Sequence, residues 1–382
     1  MKLLVSAGEV SGDQHAAALL DALRVRVPGL ETLGVAGDRC AARGMRLLAH
    51  QKDLAVVGLV EAIGKLRFAA RLVKRLVSEA VRERVDGAVL VDSPDFNIPL
   101  ARRLVAAGVP VVFFVSPQVW AWRASRAKEI ARLGRAILVL FGFEKRWYEA
   151  RGLGRNLVWV GHPLVDEAAE ELASVPPAPA GKRRVVLMPG SRSGEIRRNL
   201  PPMRDAVETL RAARPELDVV LVRADSVPET LLAEVAGSAL ERWTVVSGPH
   251  LALLAASDAL LVASGTATVE GLLARVPMVV VYRVHPLTFF LARRLVKVPH
   301  VAMANIVSDD GGGRAVPELI QKEATPERIA AELAAFLDDP ALAARTRERL
   351  AKGAADLGPP GAAARAAEAV LEAFRGAAGA AP

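Results

Sequence analysis

One cysteine in 382 residues, Cys40, excludes an intrachain disulfide and any thiolate metal cluster, and suits a reducing compartment. The expected place for such a residue is a small apolar site in the core. Aromatic residues make up only 4% of the chain, so the core must be built mainly from Leu, Val and Ala. The same scarcity removes the stacking platforms that single-stranded nucleic acid needs, which ranks nucleic acid last among acidic partners. No uncharged apolar run reaches the ~18 residues needed to span a bilayer. The apolar start of the chain is interrupted at Glu9, too early for a signal peptide. The expected location is therefore the cytoplasm, with any membrane contact peripheral.

What is present is a surplus of positive charge, +8 formally, which favours a phosphorylated ligand or an anionic membrane surface. The length exceeds the usual size of one core, so two domains are expected. Short Val/Leu-rich runs at Lys2–Ser6, Gly87–Val91, Val109–Val115, Ala136–Leu140 and Leu157–Val160 read as buried parallel strands between helices. A second series follows at Arg184–Met188, Asp218–Val222, Thr244–Val246, Ala259–Val262 and Met278–Val281. Between the series, Ala173–Lys182 holds three prolines that deny the backbone helix and ladder bonds, which places the domain change between about Gly161 and Lys182. The fold class is α/β: two Rossmann-like, doubly wound domains, expected to face each other across a cleft with ligands at the carboxyl ends of the strands.

The chemistry should lie at those strand ends. The first strand runs into Gly8-Glu9-Val10-Ser11-Gly12-Asp13-Gln14-His15, where the glycines allow close backbone approach. Ser11, Asp13 and His15 read equally well as helix caps or ligand contacts. Glu9 does not help a phosphate site and suggests a hydroxyl-rich ligand. Another strand ends in Asp92-Ser93-Pro94-Asp95-Phe96-Asn97, and a carboxylate there could activate a sugar hydroxyl as general base. Asp92, directly after the buried run, is the favoured residue and Asp95 the second; an Asx-turn at Pro94 is the bland account. Val115 to Arg123 sets Trp120 and Trp122 beside a cation, which suits a sugar or acyl pocket and equally suits core packing.

In the second series, Pro189-Gly190-Ser191-Arg192 enters a helix and offers amides, a helix N-terminus and a guanidinium to a diphosphate. No Gly-Lys-Ser/Thr follows, so it is not a Walker loop. Ser264-Gly265-Thr266 is a second small-residue turn, with Glu270 one helical turn on as an acceptor for ribose hydroxyls. No metal-ligand cluster is evident and no cofactor is expected.

Between Leu59 and Val77 a helical pattern gathers Leu66, Leu72, Val73 and Leu76 on one face, with Phe68 in the same stretch, against Arg67, Arg71, Lys74 and Arg75. The pattern fits an interfacial membrane helix, and it fits a surface helix on a core equally well. A second such stretch runs over 287–297, with Phe289, Phe290, Arg293, Arg294 and Lys297.

Taken in order, these motifs resemble those of the lipid-A-disaccharide synthase family: Gly-Glu-x-Ser-Gly-Asp, Asp-Ser-Pro-Asp-Phe-Asn, Val-Ser-Pro-x-Val-Trp-Ala-Trp-Arg, Pro-Gly-Ser-Arg-x-x-Glu-Ile and Ser-Gly-Thr-Ala-Thr-x-Glu. Tyr282-Arg283, Pro286-Leu287-Thr288, Leu295-Val296-Lys297, Asn305 and Pro317–Gln321 extend the match over nearly the whole chain. Ala16, Ala304 and the Gly311–Gly313 run depart from the family pattern.

The resemblance implies a GT-B fold, with an acceptor and membrane-facing domain over 1–165, a UDP-sugar domain over 166–344 and a last helix at about 345–375 returning to the first. It implies an inverting transfer from UDP-2,3-diacylglucosamine to 2,3-diacylglucosamine 1-phosphate, giving lipid A disaccharide 1-phosphate and UDP. Asp92 would be the base, Gly190, Ser191 and Arg192 would hold the diphosphate, and Glu270 and Asn305 would seat the nucleotide. Glu9 would contact a sugar. The expected partners are those two sugar lipids and the anionic cytoplasmic face of the inner membrane, with a homodimer left open. Another GT-B enzyme using UDP-N-acetylglucosamine, a transferase or epimerase, and a non-catalytic nucleotide- or lipid-binding module are the alternatives.

Overall fold

Runs such as Leu3–Val5 and Val89–Val91, apolar on both faces, can be strands only where helices cover both sides of the sheet, and all the sheet pairings are accordingly parallel. A computed structural model describes residues 1–54, 59–175, 181–284, 289, 298–309 and 313–375, with the side chains of 59–66 outside that description. The chain divides into two units. One spans Met1–Pro163 and is taken up again at Leu357, and the other is Leu164–Asp356.

The first unit carries strands β1 (Lys2–Ala7), β2 (Glu31–Ala36), β3 (Arg46–His50), β4 (Gly87–Val91), β5 (Val111–Phe114), β6 (Gly134–Val139) and β7 (Leu157–Trp159). Their order across the sheet is β3-β2-β1-β4-β5-β6-β7. The order reverses between β1 and β4, which makes the carboxyl ends of those two strands the switch point where such sheets bind ligands. The last helix, Ala362–Arg375, packs on the first, Val10–Arg26.

The second unit carries β8 (Arg184–Met188), β9 (Asp218–Val222), β10 (Thr244–Val246), β11 (Ala259–Ala263), β12 (Met278–Tyr282) and β13 (Glu318–Ile320), in the order β10-β9-β8-β11-β12-β13. Its switch point lies between β8 and β11. Both sheets are longer than the runs in the sequence suggest, because β2, β3 and β13 are short or carry Gly, Thr, Arg and His, and only pairing with a neighbour makes them strands. In β2 a side chain at Gly34 would collide with the Val5 carbonyl of β1, so glycine keeps the two backbones in register.

Cys40 is fully buried, as expected of a lone small residue. The amphipathic helix Leu59–Arg82 requires a correction. Leu72 and Val73 are each 4% exposed and Leu76 is 0% exposed, all within the core that also holds Leu90, Ile98 and Leu100. These three side chains are core residues and not lipid anchors, and Phe68 is half-buried against the same core. Their apolar stripe arises from packing on a sheet, which imposes the same period as a membrane would. The Leu66 side chain lies outside the described residues, as does the 287–297 stretch apart from Phe289. Among the described residues no helix is long and apolar enough to cross a membrane.

Candidate active site

At the first switch point β1 leads into Glu9, which occupies the N-cap of Val10–Arg26 with no side-chain capping bond and an exposed side chain. Ser11 is exposed beside it. Asp13 is not: at 3% exposure it accepts from the amides of Gly37 (2.8 Å), Cys40 (3.2 Å) and Arg39 (3.0 Å). Both its oxygens cap the short helix Asp38–Ala42, so Asp13 is a structural tie and not a ligand contact. Gly8 has a steric reason, since a Cβ there would lie 2.7 Å from Ser93 Oγ on the neighbouring turn.

That neighbouring turn is strained. Asp92 and Ser93, at φ 45° each, are consecutive non-glycine residues in the left-handed region, a conformation costing roughly 1–3 kcal/mol apiece. Asn97, fully buried, holds them there. Its Nδ2 donates to the carbonyls of Val91 (3.0 Å) and Asp92 (2.8 Å), and its Oδ1 accepts from Ser6 Oγ (2.7 Å). Two more left-handed residues, Val115 (φ 55°) and Arg123 (φ 65°), lie on the loop after β5, and for β-branched Val115 this is a true outlier. The positive φ of Arg84 and Arg275, by contrast, follows helix ends, where such residues are ordinary. Among the described residues Gln321 (φ 54°), just after β13 in the second unit, is the one other non-glycine residue with positive φ; Asp92, Ser93, Val115 and Arg123 lie at the carboxyl edge of the first sheet, a concentration of strain of the kind found at functional sites.

Burial, reinforced by the negative charge of Glu9 and only partly opposed by the Ser93 amide, pushes the Asp92 carboxyl up to about 6. A carboxylate poised there can accept a proton near neutrality. Asp95 differs in every respect: its side chain is 66% exposed, and its Oδ1 is shared by Arg123 (2.9 Å) and Arg126 (2.8 Å). Asp95 is thus held at the surface by two guanidiniums, and among the described residues the half-buried Asp92 is the carboxylate that stays without such a partner at the strand end.

Three polar groups at this edge escaped the sequence reading of the site or were left open in it. Glu144 is buried; desolvation pushes it up to about 7 against hydrogen bonds from Phe141, Trp120 and Leu140, and the Asp92 charge adds to the rise. It accepts from Trp120 Nε1 at 3.0 Å, which fixes that indole. His15 is held down to about 4 by burial, and His162 to about 3 by burial and by His15, so both rings are neutral at pH 7. They meet edge-on at 6.0 Å. No local pattern marks Glu144 or His162, and His15, placed by the sequence on the first turn, shows its burial only in the fold, since the burial of all three depends on remote strands.

In the second unit, β8 leads into Gly190 at φ +127°, where a Cβ would strike Glu195. The amides of Ser191 and Arg192 donate to Glu195 Oε2 at 3.0 and 3.3 Å, a capping box at the helix Ser193–Ala213. These two amides are thus committed to an internal carboxylate, which corrects the expectation that they stand ready for a diphosphate. The Arg192 side chain is 76% exposed, with its Nη1 3.5 Å from Glu195 Oε1. Buried Asn199 ties the turn to the end of β12, donating to Pro189 O (3.1 Å) and accepting from the Arg283 amide (3.0 Å).

The turn after β11 leaves Gly265 and Thr266 exposed, with Gly265 at φ +142° facing open space, while Ser264 Oγ donates to Val301 O. Glu270 is half-buried with His250 Nε2 at 3.4 Å; the His250 Nδ1 lies 2.8 Å from Gly248 O. Burial alone would lower His250, but Glu270 and the Gly248 carbonyl outweigh it and raise it. Asn305 requires a correction. It is fully buried, donates to Val316 O (3.0 Å) and Glu318 Oε1 (2.7 Å), and accepts from the amides of Ala315 (2.8 Å) and Val316 (2.9 Å). With its bonding capacity spent on the loop before β13, none remains for a nucleotide. Among the described residues no cluster could hold a metal ion.

The family model described as lipid-A-disaccharide synthetase matches residues 3–371. The lipid-A-disaccharide synthase of Anaeromyxobacter dehalogenans (strain 2CP-C) is 41% identical over 379 residues, 98% of each chain. Among solved structures, the glycotransferase of kitacinnamycin aligns with a TM-score of 0.63 at 19% identity, over 97% of this chain and 98% of that one. The UDP-GlcNAc 2-epimerase from Neisseria meningitidis bound to UDP-GlcNAc aligns with a TM-score of 0.61 at 10% identity, over 97% and 100%. At such identities these two structures speak for the fold, which is GT-B.

Proposed function

The chain belongs to the lipid-A-disaccharide synthase family, and from that membership we propose how its two switch points divide the transfer of a sugar from a nucleotide to a lipid-linked sugar phosphate. It is a glycosyltransferase of lipid A biosynthesis; the epimerase and binding-module readings are not favoured. The donor is UDP-2,3-diacylglucosamine and the acceptor 2,3-diacylglucosamine 1-phosphate. The acceptor 6-hydroxyl attacks the donor anomeric carbon as Asp92 takes its proton. The bond from that carbon to the diphosphate oxygen breaks on the opposite face, so an α-linked donor yields a β-1′,6 product and UDP. Arg192 stabilises the charge that develops on the departing diphosphate. Ser264, Gly265 and Thr266 lie along the nucleotide, Glu270 accepts from the ribose, and Glu9 and Ser11 contact the acceptor sugar.

The observation that carries this reading is the Asp92 carboxylate, raised to about 6 at the β1–β4 switch point and held in a strained turn by Asn97. Incubation with both sugar lipids, followed by mass spectrometry, should give the disaccharide phosphate and one UDP per turnover; no disaccharide from the wild-type chain would end the proposal. The protein works at the cytoplasmic face of the inner membrane, bound peripherally. The support is the outward face of Leu59–Arg82, where Arg67, Arg71, Lys74 and Arg75 are all exposed, a row of cations suited to anionic headgroups.

A further inference from the structure

The loop after β5 ends in two guanidiniums whose arrangement the reaction above does not use. Arg123 stands at φ 65° with its guanidinium over the Trp122 ring, 4.3 Å from the centroid. Its carbonyl accepts from the amide of Arg126, the first residue of the helix Arg126–Leu133, so one turn presents both side chains. Both reach the same oxygen, Asp95 Oδ1, at 2.9 and 2.8 Å. Glu129, three residues on from Arg126, also feels the Arg126 charge but is gripped through both oxygens by Arg102. The two carboxylates thus face the three guanidiniums of Arg102, Arg123 and Arg126, and a unit of positive charge is left unbalanced; one Asp95 oxygen also uses few of the ten N–H donors that Arg123 and Arg126 offer. A group with more oxygens and a second charge would satisfy the pair better.

Asp95 itself lies three residues beyond Asp92 on the same turn, and the loop from β5 reaches it from the adjacent strand. The base and the cation pair therefore belong to one edge of one sheet. An acceptor whose hydroxyl is at Asp92 carries its phosphate across a single pyranose ring from that hydroxyl.

We propose that Arg123 and Arg126 form the subsite for the phosphate monoester of the acceptor, with Asp95 as the internal anion that keeps the two guanidiniums paired until phosphate replaces it. Trp122 holds the Arg123 plane, which limits the ordering cost of binding. The inference rests on the acceptor reading of the first unit and adds to it the residues that distinguish a phosphorylated acceptor from a bare one.

The test compares kcat/KM for a short-chain diacylglucosamine 1-phosphate and for the same sugar lipid without phosphate. Wild type should prefer the phosphorylated acceptor, through KM, by on the order of 10-fold per guanidinium. In Arg123→Ala/Arg126→Ala the ratio should collapse towards one, and Arg123→Lys/Arg126→Lys, which keeps charge but not the planar fork, should fall between. Asp95→Asn should lower KM for the phosphorylated acceptor alone.

If wild type makes disaccharide without preferring phosphate, or if the Ala pair slows both acceptors alike, the subsite is refuted while the transfer reaction stands. If wild type makes no disaccharide, the reaction itself is wrong. Sedimentation with phosphatidylglycerol vesicles separates the other source of phosphate: unchanged binding by the Ala pair supports the acceptor, and lost binding with an unchanged acceptor ratio overturns the proposal in favour of a lipid headgroup.

Discussion

Replacing the base should make the protein more stable while it stops turnover. In the folded chain the Asp92 carboxyl loses its proton at about 6, against an ordinary 3.8. Between these values the folded chain holds a proton that the unfolded chain has released, so stability falls as pH rises from about 4 to about 6 and then levels off. At about 1.36 kcal/mol per pH unit the gap corresponds to roughly 3 kcal/mol at most. Partial contact with water reduces the expected figure to roughly 1–3 kcal/mol.

Asn at 92 never ionises, and it tolerates the left-handed region as well as any residue but Gly. Asp92→Asn should therefore exceed wild type by about 1–3 kcal/mol at pH 7.5, with the advantage gone below about pH 4. Its turnover should drop by about 10²- to 10⁴-fold, the usual worth of a general base. Urea unfolding followed by tryptophan fluorescence reads this well, since Trp120, Trp122, Trp147 and Trp159 lie in the first unit and only Trp243 in the second. A variant less stable than wild type at pH 7.5, or a difference that is the same at pH 4 and pH 7.5, would refute the reasoning.

The acid limb of kcat/KM should fall with an apparent pKa near 6, and Glu9→Gln should move it downward by removing a charge that holds Asp92 up; an unmoved limb would separate the two carboxylates. Arg192→Ala should weaken UDP binding by about 10- to 100-fold in calorimetry, because a charge-assisted bond to phosphate is lost, and equal affinity would take Arg192 out of the diphosphate site. Leu76→Ala should cost about 2–5 kcal/mol in urea unfolding and leave vesicle binding by the folded protein intact, since the side chain is wholly enclosed; loss of vesicle binding without loss of stability would restore it as a lipid anchor.

By itself the sequence determined most of the alternation of buried strands and helices and the position of the small-residue and acidic turns that follow β1, β4, β8 and β11, though not β2, β3 and β13, because apolar runs and turn residues are signals carried by adjacent residues. Only the tertiary structure decided which of those turns stand side by side, since strand order is set by pairing between distant segments. It also separated residues that the motifs had joined. Asp13 and Asn305 are spent on backbone amides and carbonyls of other loops, whereas Glu9 is exposed and Asp92 half-buried at a switch point, with the Asp92 carboxyl pushed up to about 6. Leu72, Val73 and Leu76 face a core rather than a bilayer for the same reason. A helical stripe records only that one side avoids water, and what covers that side is supplied by chain far away in sequence.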